Sequence, residues 1–120
     1  MVFAEIKNLL GLISDPVERL EMVMELGNSL SSVPDDAVCT EIIGCSSFVE
    51  ICRAGNRFYG RADSGIVRGI VAIIISMVDG KTPEQIRKMD LLADFQSLNL
   101  NLGASRLNGL NSMVRFLQNL

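Results

Sequence analysis

Histidine and tryptophan are absent from the 120 residues, which include one tyrosine, five phenylalanines, three prolines and three cysteines. Without an imidazole the chain has neither a serine or cysteine triad of the usual kind nor a His-containing zinc site. Cys39, Cys45 and Cys52 are an odd number, and no basic n-region followed by an apolar h-region is visible. Both points argue against a disulfide scaffold and for a reducing, cytoplasmic setting. Long apolar runs are missing too. The longest strongly apolar run without charge, residues 69–78, extends about 15 Å as a helix, half of a roughly 30 Å hydrocarbon core, so no membrane span is expected. Basic excess is also lacking: a net charge of −3 and a pI near 4.8 do not fit a protein that grips phosphate backbones, and nucleic acid is not an expected partner.

What remains is 48% apolar and 21% charged, enough for one domain over residues 1–120. The charge is uneven. Residues 1–52 hold nine acids against two bases, whereas residues 53–120 hold nine bases against five acids. Phe3, Ile6, Leu9 and Leu10 fall at helical spacing over residues 3–11. Asp15, Pro16 and Glu18 form an N-terminal helix signal for residues 16–26, with Gly27 as its stop.

From residue 37 to 63 the texture changes to β-favouring runs, 38–43, 47–53 and 57–62, separated by turn residues. The simplest arrangement is a three-stranded meander. A first turn at residues 44–47 pairs residues whose numbers sum to 91, setting Cys39 opposite Cys52, Cys45 at the tip, and Glu41 opposite Glu50 as an unfavourable like-charge pair. Residues 64–78 are β-branched, yet their length, the caps at Asp63 or Ser64 and Gly80, and apolar residues on nearly every side predict a buried central helix. Gly65, Gly69, Ala72 and Ser76 make a stripe of small residues along it. Thr82-Pro83-Glu84-Gln85 starts another helix, Asp90 caps a short one, and residues 105–118 repeat the amphipathic pattern. The fold class is α+β, a small antiparallel three-stranded sheet packed against a layer of helices.

Cysteine is the only strong nucleophile left. Cys45 follows Gly44 and precedes Ser46 and Ser47 at a turn, where backbone N–H groups can face a thiolate; Cys39 and Cys52 sit inside strands, where free cysteine is usually an inert small hydrophobe. The spacing C-x5-C-x6-C matches no compact metal motif. Arg53, Arg57, Arg61 and Arg68 are either an anion-facing surface or a solvated one. Arg106 opposes the positive end of its predicted helix, which hints at a role other than helix stability, whereas Asp63 is accounted for as a cap.

The blocks Gly44-Cys45-Ser46-Ser47, Asp63-Ser64-Gly65-Ile66-Val67-Arg68-Gly69, Gly80-Lys81-Thr82-Pro83-Glu84-Gln85-Ile86 and Leu102-Gly103-Ala104-Ser105-Arg106-Leu107-Asn108-Gly109-Leu110 resemble the SufE family in order and spacing, and Arg19 with Glu25-Leu26-Gly27 resembles its N-terminal helix. The resemblance implies a SufE/NifU-like fold and a sulfur acceptor, not an enzyme with its own turnover. Such a protein takes persulfide sulfur from a SufS-like cysteine desulfurase, stimulates it, and passes the sulfur to iron–sulfur cluster assembly, with a SufBCD-type scaffold as recipient. It implies Cys45 as persulfide acceptor, with Asp63 and Arg106 supporting. It implies no cofactor beyond the transient persulfide, since the pyridoxal phosphate belongs to the desulfurase. Asn101 stands where the family often has histidine. The resemblance also implies that the resting loop shields Cys45.

Two other readings compete. One is an iron–sulfur or zinc scaffold of the NifU/IscU type built on the three cysteines. The other is a redox sensor in which Cys45 pairs with Cys39 or Cys52.

Overall fold

The computed structural model describes residues 2–120. Two helices, α1 (Phe3–Gly11) and α2 (Pro16–Leu26), precede a single 3-10 turn at Gly27–Ser29. Then come β1 (Val38–Glu41), β2 (Val49–Ala54) and β3 (Arg57–Ala62), and four helices follow: α3 (Gly65–Val78), α4 (Pro83–Arg87), α5 (Leu91–Gln96) and α6 (Ala104–Gln118). Local chemistry sets the helix starts. Asp15 accepts from Val17 N and precedes Pro16, Thr82 and Gln85 cap each other reciprocally, and Asp90 accepts from Ala93 N.

The sheet is antiparallel in the order β1-β2-β3, an α+β fold. Its register is the one expected: Cys39 faces Cys52 and Glu41 faces Glu50. The like-charge pair is relieved by the third strand, where Arg61 lies across from Glu50 and bonds it at 2.6 Å. The first strand is shorter than expected. Regular pairing stops at Glu41, although Ile42 N still donates to Val49 O at 2.8 Å, so residues 43–48 form a longer loop than the tight turn at 44–47.

α3 is the centre of the domain. Gly69, Ile70, Val71, Ala72, Ile73, Ile74, Met77 and Val78 are buried, at about 1.5–3 kcal/mol for each large apolar side chain. That outweighs helix-propensity costs of at most about 0.7 kcal/mol per β-branched residue. The small-residue stripe does what its composition predicts. Met24 Cε lies 3.1 Å from where a Cβ on Gly65 would sit, and at Gly69 a Cβ would overlap the Val23 carbonyl, so α2 crosses α3 at backbone contact.

On the opposite side α3 packs on the sheet under Gly60, whose missing Cβ makes room for Val71 and Ile75. Val49, Ile51 and Phe58 share that inner face and are buried. Glu50, Cys52, Tyr59 and Arg61 alternate onto the outer face. The helical layer ends short of β1, all four of whose residues are exposed, Val38 at 73%. Among the described residues no helix is long and apolar enough to cross a membrane.

Candidate functional site

Cys45 lies in the loop between β1 and β2 and does not project from it. The loop bends back onto the helical layer because Gly44 takes a φ of +102°, which L side chains rarely adopt, and because Ser112 Oγ fills the space a Cβ would need. Cys45 is thereby half-buried against α6: a Cβ on Gly109 would come within 3.2 Å of Cys45 Sγ, and Sγ lies 3.8 Å from Gly109 O. Val67, Ile70, Met113 and Arg106 complete the lining, and the space left is about 10 Å³, barely enough for one water. Ser105 Oγ donates to Ser46 Oγ at 3.1 Å, tying the loop to the first turn of α6. The placing of Cys45 at the tip of a turn is therefore corrected: Val67, Ile70 and Met113 line the space around the sulfur, as the shielding implied by the resemblance requires.

Burial pushes the Cys45 thiol up from its ordinary value. The tucked loop thus favours S–H over the thiolate. Its closed arrangement is at full strength below the ordinary thiol range, about 8.5, and weakens as pH rises through the elevated value. Iodoacetamide labelling of Cys45 in the folded chain should show its inflection above that of the same cysteine in urea. An inflection at or below the urea value would show that the sulfur is not desolvated.

Arg106 reaches the same cavity from the first turn of α6, with Nη1 donating to Leu102 O at 3.3 Å. Asp63 is not brought there, nor does it cap α3. The N-cap is Ser64, which makes no side-chain cap bond, and only the Asp63 backbone is engaged, its N–H donating to Phe48 O at 3.4 Å. The capping role read from the sequence is thereby corrected, and Asp63 is left exposed where β3 enters α3.

The expectation of three separate thiols is corrected as well. Cys39 and Cys52 are joined by a disulfide, which leaves Cys45 as the free thiol. The odd count pointed away from disulfides because it treated the three as equivalent, but the register places only two of them face to face. Cys39 is exposed, and Cys52 is fully buried although it lies on the outer face of the sheet. Among the described residues the one grouping of metal-ligand types, Cys39, Glu50 and Cys52 within 4.8 Å, does not include Cys45, so the three cysteines do not converge on one ion.

The arginines are mostly spoken for within the fold. Arg57 pairs with Asp79 at 3.0 Å, Arg61 with Glu50, and Arg53 donates to Gly55 O at 2.7 Å while lying over the Phe58 ring. A larger groove of about 560 Å³ is lined by Gly11, Ile13, Arg19, Leu100 and Asn101, but its one cation is already committed: Arg19 donates to the carbonyls of Leu10, Ile13 and Leu98. Asn101 lies there and does not line the Cys45 cavity. Sequence reading missed Gly109 and Ser105 as partners of the loop; the signal was their place beside Arg106 in one motif.

The family model described as SufE: Fe-S metabolism associated domain matches residues 4–120. An uncharacterized SufE-like protein of Rhizobium meliloti is 34% identical over 110 residues, covering 82% of this chain and 79% of that protein. The sulfur acceptor protein CsdE of Escherichia coli is 33% identical over 105 residues, covering 80% and 71%. A hypothetical protein from Thermus thermophilus, solved in solution, shares the fold with a TM-score of 0.68 at 18% identity over 99% of this chain and 94% of that one. None of these matches supports the scaffold reading. With a family model spanning all but its first three residues and relatives identical at one position in three, the chain belongs to the SufE family.

Proposed function

We propose that this protein is a sulfur acceptor and carrier. Cys45 takes the outer sulfur of a cysteine desulfurase's persulfide, which stimulates that enzyme, and delivers it to iron–sulfur cluster assembly, a SufBCD-type scaffold being the recipient. The observation that carries this reading is one free thiol on a glycine-hinged loop, tucked at rest into a cavity whose described lining includes no carboxylate to take its proton. Membership of the SufE family and likeness to a sulfur acceptor protein agree with it.

The step needs no imidazole. The Cys45 thiolate attacks the terminal sulfur of the donor persulfide, the donor's own sulfur leaves as a thiolate, and Cys45 becomes the persulfide. No electrons are gained or lost overall, so the chain needs no cofactor, and pyridoxal phosphate remains the desulfurase's. At rest the raised thiol limits stray exchange; once the loop swings out at Gly44 and water reaches the sulfur, ionisation returns toward the ordinary range. Incubation with a desulfurase and free cysteine should add the mass of one sulfur to the Cys45 peptide. Sulfur found only on Cys39 or Cys52 would sink the assignment.

Arg106 is placed to hold the closed loop or to meet the partner when it opens. Arg106→Ala should lower desulfurase stimulation severalfold with little change in melting temperature. The bond lost to Leu102 O is long, and a cation in the first turn of a helix costs about 0.3–1 kcal/mol. A large fall in melting temperature with unchanged stimulation per folded molecule would make Arg106 structural instead. Asp63, exposed and without a side-chain bond among the described residues, is proposed as a polar contact of the same partner.

A further inference from the structure

Cys39 and Cys52 face each other across the β1–β2 ladder with Cα atoms 4.0 Å apart and their sulfurs bonded. They lie on the outer face of the sheet, whereas Cys45 is tucked into the helical layer. The two are unequal: Cys39 is exposed on the edge strand, and Cys52 is 0% exposed. Glu50 Oε1, fixed by Arg61, sits 3.6 Å from Cys52 Sγ. A disulfide sulfur has no proton to give, so that contact becomes a hydrogen bond only when the pair is reduced. Both oxidation states therefore have a place in the same fold, with one sulfur open to reagents and the other protected.

The bond also closes a ring, because residues 39 and 52 are 13 apart in sequence and Cys45 stands in the middle of the segment between them. β1 has little else to hold it. It packs substantially on β2 alone, and no helix covers it. Reduction leaves the approach to the Cys45 loop held by a short ladder, and oxidation locks it.

We propose that Cys39 and Cys52 are a second sulfur site, a redox pair that exchanges with low-molecular-weight disulfides and, when closed, keeps the Cys45 loop tucked. The Cys39 thiolate attacks one sulfur of the external disulfide and expels the first small thiol. The Cys52 thiol, losing its proton to solvent, then attacks Cys39 Sγ and expels the second. The protein gives up two electrons and two protons, and the external disulfide becomes two thiols. In the reverse direction a small thiol enters at the exposed Cys39 sulfur, and Cys52 leaves beside Glu50 and takes a proton back. The meaning of this for sulfur transfer rests on the reading of Cys45 given above; the exchange and the restraint on the loop do not.

The full chain should be equilibrated in glutathione buffers of rising disulfide fraction, with the state of the pair read by mass and iodoacetamide labelling of Cys45 followed on its own peptide. The pair is expected to close across the series, and closed protein should label at Cys45 about tenfold more slowly, since labelling must wait on local opening. Cys39→Ser, at an exposed position, should label at the fast rate in every buffer and keep its circular dichroism. Equal Cys45 rates in open and closed protein would overturn the restraint. A pair that stays reduced in glutathione disulfide alone, or that holds stoichiometric zinc as purified, would overturn the redox pair. Failure of sulfur transfer from a desulfurase would count against the acceptor role and leave these labelling results as they stand.

Discussion

Cys45→Ser is expected to abolish sulfur uptake and return desulfurase turnover to that of the enzyme alone, with the fold intact. A hydroxyl at this position cannot attack a persulfide, because it is not ionised at neutral pH and forms no stable bond of the S–S kind. The structural cost should be small. Serine is slightly smaller than cysteine, the site is only half-buried, and the hydroxyl can still turn toward Gly109 O, so a stability change below about 1 kcal/mol is expected. Alanine or sulfide production by the desulfurase, measured beside a thermal melt of the variant, decides the matter. A well-folded serine variant that still stimulates turnover would mean that the protein acts by binding alone.

Gly69→Ala should be the most damaging single methyl in the molecule. The added carbon would overlap the Val23 carbonyl oxygen and lie 2.6 Å from both its carbon and Val23 Cγ1. Two of these three atoms are backbone, held by the hydrogen bonds of α2, so the clash cannot be relieved by turning a side chain. Helix propensity favours alanine over glycine by about 1 kcal/mol, but forcing two helices apart at a buried crossing costs about 3 kcal/mol. Urea unfolding should show a midpoint well below that of the parent at unchanged slope. A midpoint equal to or above the parent's would show that α2 and α3 do not meet at this point.

Some of this was legible in the residues themselves. The small-residue stripe announced a close approach to α3, the capping signals at Asp15, Thr82 and Asp90 placed α2, α4 and α5, and the hairpin register followed from placing the first turn at residues 44–47. Other features depend on contacts far apart in sequence. Glu41 opposite Glu50 counted against the register when two strands were considered, and only the third strand, bringing Arg61 to Glu50, removes the objection. The shielding of Cys45 depends on Gly109, 64 residues away, and could be inferred only through family likeness. Of the two residues read as able to cap α3, Asp63 or Ser64, backbone geometry gives the N-cap position to Ser64, without a side-chain bond. The Cys39–Cys52 bond was missed because an argument from parity was set above one from register.

The cavity that shelters Cys45 has a bearing on how the chain is born. Its floor comes from Gly109 and Met113 of α6, so the hairpin carrying the thiol leaves the ribosome well before the helix that covers it. At about 5–20 residues per second the intervening 64 residues occupy roughly 3–13 s. During that interval the nascent chain presents a bare cysteine to the thiols and peroxides around it, and the sulfur is protected only once α6 has docked.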